Sequence, residues 1–339
     1  MNVTPFGSKR FAEISTIVPV YNESENIVEL FGRIKLVLEK VSDDWEIIFV
    51  DDGSVDQSVE TIKGLRRSDQ RVKLIDFSRN FGKEVALSAG LRYSTGKAAI
   101  LIDCDLQHPP EVIEKMVQKW KEGAEIVFGV RDSRDDESFL KRTFTVVFYS
   151  ILEKIASIKN CQKIGDFCLL DRKVVDTLNS LLESNRFFKG LINWVGYRQD
   201  YVNYAVAKRR LGRSKYNFFK LWNFAIEGIT SFSSLPLKVW TYIGIVISLL
   251  SITYAIIIIA RTFYFGIDVP GYASLIVSIL FLGGVQIFSI GVVGEYIGRI
   301  YTEVKGRPLY IIRGLYGCSD DMDRANESKT KKAYGDATN

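Results

Sequence analysis

The apolar positions of the chain fall into two alternating rhythms from residue 14 onward. Short runs rich in Val and Ile at 14–20, 46–50, 72–77, 98–102 and 125–130 have the length and branching of buried strands. Between them the spacing lengthens to that of an amphipathic helix. In 24–39 the residues Ile27, Leu30, Phe31, Ile34, Val37 and Leu38 fall on one helical face. The segments 55–65, 84–93 and 111–120 read the same way, and Pro109 and Pro110 suit the opening of the last. This alternation predicts an α/β fold with a mainly parallel sheet covered by helices. Such sheets bind ligands at the carboxyl ends of their strands.

The rhythm changes after about residue 205. Lys208, Arg209, Arg210, Arg213, Lys215 and Lys220 form a basic run, and an amphipathic stretch follows at 218–232. Two uncharged stretches come next, 22 residues at 239–260 and 26 at 269–294. A bilayer span needs about 20 apolar residues, so the pair predicts a transmembrane hairpin, with helices at about 239–263 and 271–297. Long core helices are the alternative reading. Seven basic residues at 208–238 and four at 299–313 flank the hairpin, against Arg261 alone in its loop. The positive-inside rule places both ends in the cytoplasm. Residues 1–13 show no secretory pattern, and the polar 319–339 tail is expected to be disordered. The expected plan is therefore a tail at 1–13, an α/β domain at 14–215, a juxtamembrane helix at 216–238, the hairpin at 239–298, a cytosolic segment at 299–318 and the tail.

Composition narrows the chemistry. The formal charge of +5 is too mild to indicate a nucleic-acid partner. His108 is the one histidine, which excludes sites built on several His ligands. Cys104, Cys161, Cys168 and Cys318 are dispersed with no C-x-x-C pair, so reduced thiols are expected.

The sharpest chemical signal is Asp103-Cys104-Asp105 at the end of the 98–102 strand. If the strand alternation continues, the two carboxylates face the same way. Paired carboxylates make a hard oxygen site suited to Mg²⁺ or Mn²⁺, especially when a diphosphate completes the shell. In isolation a D-x-D is as often a solvated turn. Asp51-Asp52-Gly53-Ser54 and Pro19-Val20-Tyr21-Asn22-Glu23 end two other strands. Helix capping explains each of them as well, and it is compatible with ligand binding. His108 beside the D-x-D reads first as a loop histidine and second as a ligand.

These motifs, in this order, resemble those of inverting GT-A glycosyltransferases, and more narrowly the polyprenyl-phosphate glycosyltransferases. Arg79-Asn80-Phe81-Gly82-Lys83, Leu106-Gln107, Gly165-Asp166-Phe167, Gly212-x-Ser214-Lys215-Tyr216 and Gly294-Glu295-Tyr296-Ile297-Gly298-Arg299 fit the same branch. The resemblance runs from about residue 14 to 310. It implies a Rossmann-like GT-A domain using Mg²⁺ or Mn²⁺ in the bacterial inner membrane. The implied reaction passes a hexose, glucose from UDP-glucose in the first place, to undecaprenyl phosphate with inversion. GDP-mannose or a UDP-aminoarabinose derivative as donor stays open. So does a non-catalytic membrane scaffold, which the retained acids disfavour. A processive polysaccharide synthase is disfavoured by the absence of a Q-x-x-R-W motif.

Residue by residue, the resemblance implies that Pro19, Tyr21, Glu23 and Asp52 hold the nucleotide base and ribose. Lys83 would lie near the diphosphate. Asp103 and Asp105 would engage the metal–diphosphate complex, Asp105 being the more direct ligand. Gln107 would contact sugar or acceptor, and Asp166 matches the aspartate proposed as base. Arg131 and Arg142 would meet the lipid phosphate, while Arg209 and Lys215 would steady the diphosphate. The amphipathic stretches 139–158 and 218–232 are expected on the membrane surface. Gly283, Gly284, Gly291, Gly294 and Gly298 would permit close helix contact and a homo-oligomer.

Overall fold

The structure is a computed structural model that describes residues 12–131, 165–181, 183, 188–204 and 271–318, with scattered positions between 242 and 264. The expectations for 1–11, 139–158, 216–238 and 319–339, and for Arg142, Arg209 and Lys215, lie outside the described residues.

Two compact units divide the chain. The first spans Met1–Glu153, Ile158–Tyr216 and Pro308–Asn339, and it carries the sheet. Its elements run β1 (Ile14–Val20), α1 (Ser24–Val41), β2 (Trp45–Asp51), α2 (Ser58–Ser68), β3 (Val72–Phe77), α3 (Lys83–Tyr93), β4 (Ala98–Leu101), α4 (Val112–Lys121) and β5 (Ile126–Arg131). They continue with β6 (Cys168–Asp171), α5 (Arg172–Ser180), α6 (Phe188–Trp194) and β7 (Gln199–Tyr204). The second unit spans Lys154–Ser157 and Asn217–Arg307 and contains α7 (Tyr272–Val304). The chain then returns to the first unit as β8 (Ile312–Tyr316).

The eight strands of the sheet lie in the order β7-β5-β6-β4-β1-β2-β3-β8. The centre, β4-β1-β2-β3, is parallel, as the continuous apolar runs require of strands covered on both faces. All seven residues of β2 are buried, and six of the seven in β1. Helix α1 buries Ile27, Leu30, Ile34, Val37 and Leu38, the face that the spacing marks out.

Four departures from the sequence reading have local causes. Helix α2 begins at Ser58 rather than 55, because Asp56 takes the backbone N–H groups of Ser58 and Ser24 at 3.0 and 3.2 Å and holds the chain in a turn. Strand β4 ends at Leu101, so Asp103 and Asp105 lie in the turn beyond it and strand alternation does not set their facing. Strand β6 is antiparallel to β4 and β5, and β8 is antiparallel to β3, so the sheet is mixed. Helix α7 continues past 297 to Val304, helped by an i,i+4 ion pair between Arg299 and Glu295 at 3.1 Å.

Among the described residues one helix is long and apolar enough to cross a membrane, over Phe281–Val304. Its Ile287 and Ile290 are 74% and 70% exposed. The described positions between 242 and 264 are helical, and the rest of the first expected span lies outside the described residues.

Helix α3 crosses β1 so closely that a Cβ at Gly90 would overlap Ile17 Cγ2 and stand 3.2 Å from its Cγ1. Isoleucine is stiff at this point and cannot swing away. Gly90→Ala should therefore destabilise the sheet domain by about 1–3 kcal/mol in chemical denaturation, despite the better helix propensity of alanine.

Candidate active site

Parallel strands deliver the residues that follow them to one edge of a sheet. Here the loops after β1, β2, β3 and β4 meet at that rim. The antiparallel β6 joins them from its amino end, with Cys168 opposite Leu101 and Phe128. Asp166, two residues ahead of β6, thereby reaches the same rim as Asp103.

The first two loops are laced together by small polar residues. The Asn22 N–H donates to Ser54 Oγ at 2.9 Å, and the Val55 N–H donates to Asn22 Oδ1 at 2.9 Å. Asn22 itself has φ +55°, which its short side chain tolerates. The Glu23 N–H donates to Ser58 Oγ at 3.1 Å, and Glu23 Oε2 accepts from Asn26 at 2.6 Å. Pro19 is half-buried, and Tyr21 is 42% exposed beside it.

Asp52 is buried and turned to the next loop. Its carboxylate accepts the Phe81 N–H at 2.6 Å and the Gly82 N–H at 2.9 Å, directly ahead of α3. A negative group there suits the positive end of the helix dipole. Burial pushes the Asp52 carboxyl up, with the two backbone donors opposing. Neighbouring Asp51 is also raised by burial, and its Oδ1 has no hydrogen-bond partner. Gly53 has φ +73°, and a Cβ there would stand 2.6 Å from Asn80 N, so the close approach of these two loops requires glycine.

Asp52 thereby anchors the two residues that lead into α3, and α3 starts with Lys83. The Lys83 ammonium lies 2.6 Å from Asp103 Oδ1 and 2.9 Å from Asp166 Oδ2. Burial opposes the charge on Lys83, but the two carboxylates outweigh it and hold the amine protonated well above its ordinary range. Burial likewise opposes ionisation of Asp103. The Lys83 charge, with the His108 ring nearby, prevails and keeps its carboxyl below the usual range.

Behind this cluster His108 Nε2 stands 3.7 Å from Asp103 Oδ2, and its Nδ1 lies 2.6 Å from the Tyr204 hydroxyl. His108 is buried against the rings of Phe167 and Tyr204. Asp105 Oδ1 accepts the Gln107 N–H at 3.1 Å, and Arg131 Nη2 donates to Gln107 Oε1 at 3.4 Å. The rim thus gathers Asp103, Asp105, Gln107, Asp166, Lys83 and Arg131. Pro19, Tyr21, Glu23 and Asp52 are set along the adjoining β1 and β2 loops. Tyr204 is absent from the sequence reading. Its signal is an aromatic at the end of a short alternating run, which nothing local connects to His108.

Chemically, three carboxylates against two fixed cations leave the rim short of positive charge. Among the described residues no three His, Cys, Asp or Glu side chains group as a cage for a metal ion.

Residues 15–178 match the family described as Glycosyl transferase family 2, and 235–300 match the GtrB C-terminal hairpin. An uncharacterized glycosyltransferase of Synechocystis is 51% identical, over 90% of this chain and 96% of that protein. The chain belongs to glycosyl transferase family 2. Other relatives in the family are the SfII prophage-derived bactoprenol glucosyl transferase of Shigella flexneri, 48% identical over 89% of this chain and 97% of its own, and a bactoprenol glucosyl transferase homolog of Escherichia coli at 47% over 89% and 98%. The glucosyl-3-phosphoglycerate synthase of Mycobacterium tuberculosis, solved with UDP, aligns at 18% identity with a TM-score of 0.46, over 65% of this chain and 79% of that one.

The geometry makes Lys83 the group that two carboxylates share. Lys83→Met should lower turnover by roughly 10²- to 10³-fold, as loss of a charge-stabilising donor does. It should also move acid unfolding to higher pH. A carboxyl held low in the fold contributes stability above its unfolded pKa and loses it as pH falls through the folded value, and Asp103 loses its main partner in the variant. Steady-state kinetics and acid titration followed by circular dichroism check both outcomes.

Proposed function

We propose that the chain transfers glucose from UDP-glucose to a polyprenyl phosphate, undecaprenyl phosphate in a bacterial inner membrane, with inversion at the anomeric carbon. The observation that carries this reading is the Lys83 ammonium shared by Asp103 and Asp166 at the sheet rim of a family 2 chain. The bactoprenol glucosyl transferase relatives supply the sugar and the acceptor class.

The donor set fits a divalent cation of the Mg²⁺ or Mn²⁺ kind. Such ions take one or two carboxylates and complete their shell with substrate phosphates, so Asp103 and Asp105 suffice without a protein cage. When bound, the cation offsets charge on the departing diphosphate. Lys83 acts beside it, and Pro19, Tyr21, Glu23 and Asp52 border the base and ribose. Arg131 and Gln107 face the incoming phosphate and sugar. Arg142 is assigned to the lipid phosphate, and Arg209 and Lys215 to the diphosphate, on the motif resemblance alone.

The acceptor is a phosphate monoester with a second pKa of about 6, so at neutral pH it is largely ionised and already nucleophilic. A general base is then less necessary than for a hydroxyl acceptor. Asp166, paired with Lys83, accordingly orients groups for in-line attack rather than removing a proton. The cationic groups offset repulsion between the two anionic substrates.

Topologically, the reading places a two-helix hairpin in the membrane with the sheet domain on the cytoplasmic side. The family match of 235–300 to a C-terminal hairpin and the exposed apolar face of α7 support it. Glycines of α7 would allow close contact between copies.

The test supplies purified chain with Mn²⁺, undecaprenyl phosphate and a panel of UDP- and GDP-sugars, and reads lipid products by mass spectrometry. Glucosyl-phospholipid from UDP-glucose is the expected product, lost in Asp105→Asn. Asp166→Asn should retain measurable transfer. No lipid-linked sugar from any donor overturns the reading, and transfer from GDP-mannose alone overturns the sugar.

A further inference from the structure

The loop 78–82 that leads into α3 is held from two sides. On one side Asp52 and Gly53 grip its far end, as described above. On the other side lies the segment that returns from α7, which neither family match covers.

Contacts on that second side are dense for a short edge strand. Strand β8 pairs antiparallel with β3, with Gly314 opposite Asp76 and Ile312 opposite Phe77. The pairing continues past β3, where the Ser78 N–H donates to the Ile311 carbonyl at 2.9 Å. Arg313 Nη2 returns a bond to the Ser78 carbonyl at 2.7 Å, and its Nη1 stands 3.8 Å from the buried Asp76 carboxylate. The Tyr310 ring stacks on Phe77 with centroids 5.1 Å apart and planes 14° from parallel. Phe77 meets Phe81 edge-on at 5.7 Å, and the Arg79 guanidinium covers the Phe81 ring at 4.2 Å. Phe81 and Gly82 then give their N–H groups to Asp52, and Lys83 follows. A continuous packed path therefore runs from Tyr310 and Arg313 through Phe77, Ser78 and Phe81 to Lys83.

We propose that Tyr310 and Arg313 are positioning residues for Lys83: they clamp the loop 78–82 against β3 and so set where the first turn of α3 presents its ammonium to Asp103 and Asp166. In the chain, Tyr310 and Arg313 follow the end of α7 at Val304 by only a few residues. The kinetic part of the test rests on the proposed donor role of Lys83; the structural part does not.

The test uses purified full-length chain carrying Tyr310→Ala, Tyr310→Phe or Arg313→Gln, alone and combined with Lys83→Met. Arg313 is 56% exposed, so Arg313→Gln leaves the core untouched. Amide exchange at Phe81–Val85 should quicken about tenfold in Tyr310→Ala and Arg313→Gln, while Tyr310→Phe keeps the native rate because the stack survives. KM for UDP-glucose should rise roughly tenfold with KM for undecaprenyl phosphate unchanged, a split that mere loss of folded protein does not produce. In the Lys83→Met background neither substitution should add a further effect. Native exchange rates at Phe81–Val85 in both variants overturn the proposal. So do donor effects that add fully to Lys83→Met. If no sugar is transferred by the unsubstituted chain, the donor reading fails while the exchange rates still decide the clamp.

Discussion

A single ammonium group lying between two carboxylates organises the rim of this sheet. Asp103 and Asp166 come from different strands and would repel each other across a partly desolvated cleft. Lys83 places one positive nitrogen within hydrogen-bonding distance of both. Remove that charge and burial drives the Asp103 carboxyl towards its neutral form. Much of the surrounding architecture serves to deliver the nitrogen to that point. The β2 turn carries Asp52, whose carboxylate anchors the two residues that lead into α3, and glycine at 53 lets the turn approach closely enough to do so.

The antiparallel insertion of β6 follows from the same need. A parallel strand placed beside β4 would bring its carboxyl end to the rim, and Asp166 precedes its strand. Reversing β6 brings the amino end there instead, next to the residues after β4 and β5. The same reversal puts Phe167 beneath His108, where with Tyr204 it closes the apolar floor behind Asp103.

Local periodicity carries the centre of this fold well, because β1 to β5 and α1 to α4 are each marked by a continuous apolar run or a helical face. Their observed bounds differ from the sequence reading by three residues at most, and the largest shift has its cause in the Asp56 side chain. Strands β6, β7 and β8 were not legible. Each is short, and its direction depends on partners far away in the chain, which no local pattern records. The site divides along the same line. Asp103, Asp105 and Asp52 announce themselves as acids at strand ends. The pairing of Lys83 with Asp166 spans 83 residues, and that of His108 with Tyr204 spans 96. Motif resemblance supplied Asp166 and Lys83, and nothing supplied Tyr204. The strand-alternation argument for the D-x-D failed because β4 stops at Leu101, one residue early, so the carboxylates are arranged by turn geometry.

On the proposed reading, the reaction joins a water-soluble donor to an acceptor confined to a membrane, and that pairing explains the charge pattern better than a need for strong acid–base catalysis. An ionised phosphate needs no proton removed, so an aspartate locked in an ion pair is no handicap to the chemistry. What the acceptor lacks is a way to approach a second anion. Cations held at a sheet edge by short loops supply that approach at little entropic cost when the substrates arrive. Rigidity of the rim is then worth more than the basicity of any one residue.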